Sequence, residues 1–166
     1  DYGAAVNSFS NVDSVLKGNT DIHTRYVYAE SLYGDGKESA AVDVLRSIEG
    51  INYYSISDGV ERSAYVQSLV SLSRILYAKG DFPGSAKFST KAIAISPSSI
   101  DAYEVLLASI ARDSDLDGVD SRRVYCDAMK LRIAEVGSSP SEIEGDLRII
   151  ESRISSRESR ASICHD

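Results

Sequence analysis

An all-α stack of helical hairpins is the fold the sequence predicts, on three observations. Apolar residues recur at spacings of three and four over almost the whole chain, while strand-like alternation is nearly absent. Glycine-containing turns interrupt these stripes at regular intervals. The 166 residues are 43% hydrophobic and 26% charged, enough for a packed core in one ordinary domain or one array of small repeats.

The elements follow in chain order. A helical pattern covers Tyr2–Leu16, so a chain opening at Asp1 reads as a fragment of a longer repeat protein. Tyr26, Ala29, Leu32 and Tyr33 make the next stripe, and Gly34-Asp35-Gly36-Lys37 ends it, glycine supplying the positive φ of a helix C-terminus. Ala41, Val44, Leu45 and Ile48 follow. Residues 50–59 form a longer loop in which Ile51–Ile56 is the one strand candidate. Leu69, Leu72, Ile75 and Leu76 form the third stripe, closed by Lys79-Gly80-Asp81-Phe82, and Phe88, Ala92 and Ile95 the fourth. Pro97 stops that helix, Ser98 or Ser99 caps the next, and Asp101 suits its first turn. Tyr103, Leu106, Leu107 and Ile110 are the fifth stripe; Val124, Ala128, Leu131 and Val136 the sixth. Ser139, Pro140 and Glu142 repeat the start signal before Ile143, Leu147, Ile150 and Ile154, giving about eight helices in all. A hairpin cannot bury its own stripe, so such units stack.

Lys79-Gly80-Asp81-Phe82 through Ala92-Ile93-Ala94-Ile95-Ser96-Pro97 resembles the tetratricopeptide repeat (TPR), with Leu69, Leu72 and Ser73 matching its first helix. Ser85 stands where alanine is usual and Ser89 where an aromatic is usual. Residues 22–49 give a second copy through Ala29, Leu32, Gly36, Ala41 and Leu45, and a third begins at Ile100. Gly36 and Gly80 lie 44 residues apart, about ten more than one period, the surplus being the 50–59 loop. The resemblance implies a right-handed superhelix over residues 1–137, closed by a C-terminal capping helix and Ser/Arg-rich tail at 138–166. It implies that first helices line a concave surface, whose ligand-facing positions here are His23, Tyr26, Glu30, Tyr33, Gln67, Val70, Arg74, Tyr77, Asp101, Glu104 and Arg112. The Lys and Asn that clamp C-terminal carboxylates in some family members are missing from these places. More narrowly, Ala41-Val42-Asp43-Val44-Leu45 and Ala102-Tyr103-Glu104-Val105-Leu106 resemble the N-terminal half of TPR subunits of the anaphase-promoting complex. That implies a homodimeric scaffold of a nuclear ubiquitin ligase in cell-cycle control.

Chemistry is sparse. Lys+Arg 18 against Asp+Glu 25 leaves a net charge of −7, unlike the basic face of a nucleic-acid binder, and no apolar run approaches a bilayer-spanning length. His23 and His165 are the only histidines, and no nucleophile with an orienting carboxylate can be placed beside either. Cys126 and Cys164 do not make a framework, so a reducing, intracellular compartment (nuclear or cytoplasmic) is expected, with Cys126 a small buried hydrophobe and a single Cys126–Cys164 disulfide the alternative. Asp113-Ser114-Asp115-Leu116-Asp117-Gly118 has the spacing that opens a calcium loop, but Asp120 and Val124 occupy its eighth and twelfth positions. An acidic inter-helix turn is the simpler reading, and a calcium-responsive regulator using residues 113–120 the alternative function. The expectation is therefore a non-enzymatic scaffold without cofactor or metal, binding another protein or a second copy of itself, with a homodimer favoured by apolar surface at the N-terminal end. Neither nucleic acid nor membrane is expected as a partner.

Overall fold

The structure, a computed structural model, describes residues 21–113, 115–116, 121–131 and 140–155. The described residues are all-α, without strands. Seven helices follow one another: α1 (Ile22–Gly34), α2 (Glu38–Glu49), α3 (Gly59–Ala78), α4 (Phe82–Ile95), α5 (Ile100–Arg112), α6 (Ser121–Lys130) and α7 (Pro140–Ser155). The strand candidate at Ile51–Ile56 instead holds a 3-10 turn, Tyr53–Ser55. Its alternation is short, and no strand lies among the described residues for it to pair with. The expected helix at Tyr2–Leu16, the Ser139 cap, most of the Asp-rich turn and the Ser/Arg-rich end lie outside the described residues.

The chain divides into two compact units between Ile75 and Leu76, within α3. In the first unit, α1 and α2 pack on each other as a hairpin joined by three residues. Asp21 caps α1, its carboxylate accepting from the backbone N–H and, at 2.9 Å, from the hydroxyl of Thr24. The turn is a Schellman motif: the Gly36 N–H donates to the Tyr33 carbonyl at 3.0 Å and the Lys37 N–H to the Leu32 carbonyl at 2.9 Å, with Gly36 at φ 77°. The 50–59 loop is pinned rather than slack. Asn52 accepts from the Tyr54 N–H, the Tyr65 hydroxyl donates to the Glu49 carbonyl at 3.1 Å, and the Tyr53 and Tyr65 rings lie 5.5 Å apart. Asp58 then caps α3 through the Val60 and Glu61 N–H groups.

In the second unit the α3–α4 turn repeats the same device 44 residues on. The Gly80 N–H donates to the Tyr77 carbonyl and the Asp81 N–H to the Leu76 carbonyl, both at 2.9 Å, with Gly80 at φ 79°. Asp81 caps α4 through the Gly84 N–H. Helix α5 packs on α4, α6 and α7, and its Leu106, Leu107 and Ile110 share a core with Val124 and Ala128 of α6 and Ile143, Leu147 and Ile150 of α7. Ser99 occupies the N-cap position of α5 without a side-chain cap bond, leaving Asp101 to favour that end. Cys126 on α6 is buried, as expected of a small hydrophobe, but it is disulfide-bonded, the alternative rather than the favoured reading. Pairing depends on three-dimensional proximity, which spacing does not give. The sequence offers one other cysteine, Cys164, outside the described residues.

Burial itself repeats along the chain. Ala29, Ala41, Leu45 and Ile48 are buried, and so are Ser73, Ser85, Ser89 and Ala92, each 44 residues further on. A shift of 36 carries Ser73, Phe88 and Ala92 onto Ser109, Val124 and Ala128, again buried.

Candidate functional site

The site lies in the first unit, where α1 and α3 border an open groove of about 360 Å³. Helix α1 contributes His23 and Tyr26; α3 contributes Gly59, Val60, Ser63, Ala64 and Gln67. Helical spacing explains the set, because residues three and four apart share a face. Val60 is the conspicuous member, a large apolar side chain left 59% exposed on the wall.

Glu61 joins the two helices at one end of this groove. Its carboxylate, on the first turn of α3, accepts the backbone N–H of Ile22, the first residue of α1. It thereby satisfies one of the donors that a helix N-terminus leaves open and adds a negative charge at the positive end of the α1 dipole. The backbone N–H and hydroxyl of Thr24 hold the Asp21 carboxyl below its ordinary value of 3.8. The arginines of these turns point elsewhere. Arg25 donates to the Ser47 hydroxyl on α2; the Arg62 Nε donates to the Ile56 carbonyl at 2.7 Å, with its guanidinium 5.9 Å from the centre of the Tyr53 ring.

The positions carried over from the family resemblance fare differently. Tyr26 and Gln67, with His23, come together in the groove. Glu30 is half-buried one turn beyond Tyr26, Tyr33 is exposed at the end of α1, and Arg74 is exposed late in α3. Val70 is fully buried and belongs to the core, not to a ligand surface. In the second unit Tyr77 packs against Phe82, ring centres 5.4 Å apart, across the Gly80 turn. Asp101 and Glu104 are half-buried on α5. Arg112 pairs with Asp146 of α7 at 3.1 Å, so α7 already occupies the guanidinium. Sequence reasoning missed Gly59, Val60, Ser63 and Ala64. Stepping back from Gln67 by three, four and seven would have found Ala64, Ser63 and Val60; reading residues 50–59 as loop hid Gly59.

In the Asp-rich turn Asp113 accepts the Asp115 N–H at 2.9 Å, the local bond of an acidic turn. Among the described residues no three His, Cys, Asp or Glu side chains converge to hold a metal ion, and no helix is long and apolar enough to cross a membrane.

The fold and site define a class, an all-α protein with a groove between two of its helices. No protein-family model, curated protein or solved structure matches the chain.

Proposed function

We propose that the chain is a non-enzymatic scaffold of TPR-like hairpins that binds a segment of another protein in the groove between α1 and α3. The observation that carries this reading is the convergence of His23, Tyr26 and Gln67 on an open, apolar-walled groove. The repeat of buried positions at shifts of 44 and 36 residues and the paired Schellman turns at Gly36 and Gly80 support the TPR-like character. A tyrosine beside exposed apolar surface is a suitable anchor, offering rigid area at small entropic cost. Residues 41–45 and 102–106, which carry the narrower resemblance to anaphase-promoting complex subunits, are mostly core positions and single out no partner.

Selection of a random-peptide library on the full chain tests the groove. Enriched peptides are expected to lose binding to Ser63→Trp, which fills the groove from an exposed position, and to weaken on Tyr26→Ala. Peptides indifferent to both variants would place binding elsewhere. Self-association is tested separately by light scattering; a strict monomer at high concentration removes the homodimer.

A further inference from the structure

We propose that the groove selects a cationic peptide segment, one that lays an apolar side chain against Val60 and directs a Lys or Arg toward Asp21, Asp58 and Glu61. This rests on the groove reading above and adds the chemistry of the occupant.

Two features of the site specify it. The first is the exposed wall. Val60 stands on the first turn of α3 with more than half of its surface open, and Ala64 lies one turn further along the groove. An apolar side chain placed there removes water from both partners.

The second is the charge at the groove end. Asp21 precedes α1, Asp58 precedes α3, and Glu61 on the first turn of α3 bonds back to the first residue of α1. Three carboxylates face two helix N-termini worth about half a positive charge each, leaving roughly two negative charges uncompensated. The backbone N–H and hydroxyl of Thr24 stabilise the ionised form of Asp21, whose value is lowered accordingly. Among the described residues no Lys or Arg lines the groove. Among the described residues the two nearest in sequence, Arg25 and Arg62, bond to Ser47 and to Ile56 with Tyr53 rather than to these carboxylates. The chain's net charge of −7 acts in the same direction at longer range, drawing a cationic partner in and repelling an acidic one.

The test uses the full chain and three labelled synthetic peptides of equal length: one of Leu and Lys, one with the same Leu pattern and Glu for Lys, and one of Ser and Lys. Fluorescence anisotropy is expected to show the Leu/Lys peptide binding at least about tenfold tighter than either control, like-charge apposition penalising the Glu peptide and the lost apolar contact the Ser peptide. Val60→Arg, at an exposed position, should weaken Leu/Lys binding at least about tenfold, whereas Met129→Arg, an exposed position on α6, leaves it unchanged. Equal or tighter binding of the Leu/Glu peptide, or of the Ser/Lys peptide, overturns the proposal, as does indifference to Val60→Arg or binding of none of the three. If the Leu/Glu peptide is preferred but lost on Val60→Arg, the cationic class falls while the groove stands. If library selection also yields nothing sensitive to Ser63→Trp, the groove reading itself falls.

Discussion

Ser85 and Ser109 show what decides packing at the level of one side chain. Both are fully buried on α4 and α5, the Ser109 hydroxyl meeting that of Ser85 at 2.9 Å and also donating to the Val105 carbonyl at 2.8 Å. Ser89 donates to the Ser85 carbonyl in the same way. Small side chains that carry their own local partner let two helices approach without stranding a polar group. Ser85→Ala is therefore expected to cost less than about 1 kcal/mol, since Ser109 keeps Val105, while Ser85→Leu overpacks the contact and costs about 1–3 kcal/mol; urea unfolding separates the two. Asp21 gives the pH-sensitive case. Its carboxyl sits below the ordinary 3.8 because the Thr24 N–H and hydroxyl bond the ionised form, so its contribution is present above that value and drains away as pH falls through the folded value. Melting temperature against pH should show a shallower acid decline in Asp21→Asn than in the parent, and Asp21→Ala should lose about 1 kcal/mol at neutral pH. Of these residues the sequence marked Ser85 and Ser89 as departures from a repeat pattern. It could not show that their hydroxyls are satisfied, because a bond to a carbonyl four residues back looks the same in sequence as a missing methyl.

Among elements, the turns were the most legible. Gly36 and Gly80 punctuate the apolar stripes, and both hold the left-handed conformation with the same pair of backbone bonds. Neither has a neighbour within reach of an added Cβ, so Gly36→Ala and Gly80→Ala test backbone strain alone. Each is expected to cost about 1–2 kcal/mol in denaturant unfolding. The helix boundaries around 22–49 and 82–95 follow directly from periodicity plus those turns. The 50–59 loop was less legible, because its order comes from long-range contacts: Tyr53 on Tyr65, Tyr65 on Glu49, Arg62 on Ile56. The groove inherits that blind spot, since Gly59 stands where loop becomes helix. Helix α7 shows the difference between a surface pair and a core contact. Arg112→Ala removes a half-exposed partner of Asp146 and should cost no more than about 1 kcal/mol, whereas Leu147→Ala opens the core shared with α5 and should cost about 2–5 kcal/mol.

For the whole molecule, periodicity was enough to predict an all-α chain, because helical stripes need only local geometry, but covalent and charge arrangements needed coordinates. Cys126 is in a disulfide, which runs against the reducing compartment that two scattered cysteines suggested, such bonds persisting chiefly in oxidising surroundings. Alkylation of the unfolded chain without reductant is expected to leave Cys126 unlabelled, and labelling only after reduction, read by mass spectrometry, checks it. The Glu61 bridge has a consequence for how occupancy could be sensed. The carboxylate that would attract a passing cation also secures the leading amide of α1, so a guest that draws the carboxylate toward itself pulls on that bond. Loading the groove would then loosen the first turn of α1, and solvent exchange at Ile22 would quicken as the site fills, a built-in reporter readable with no label on either molecule.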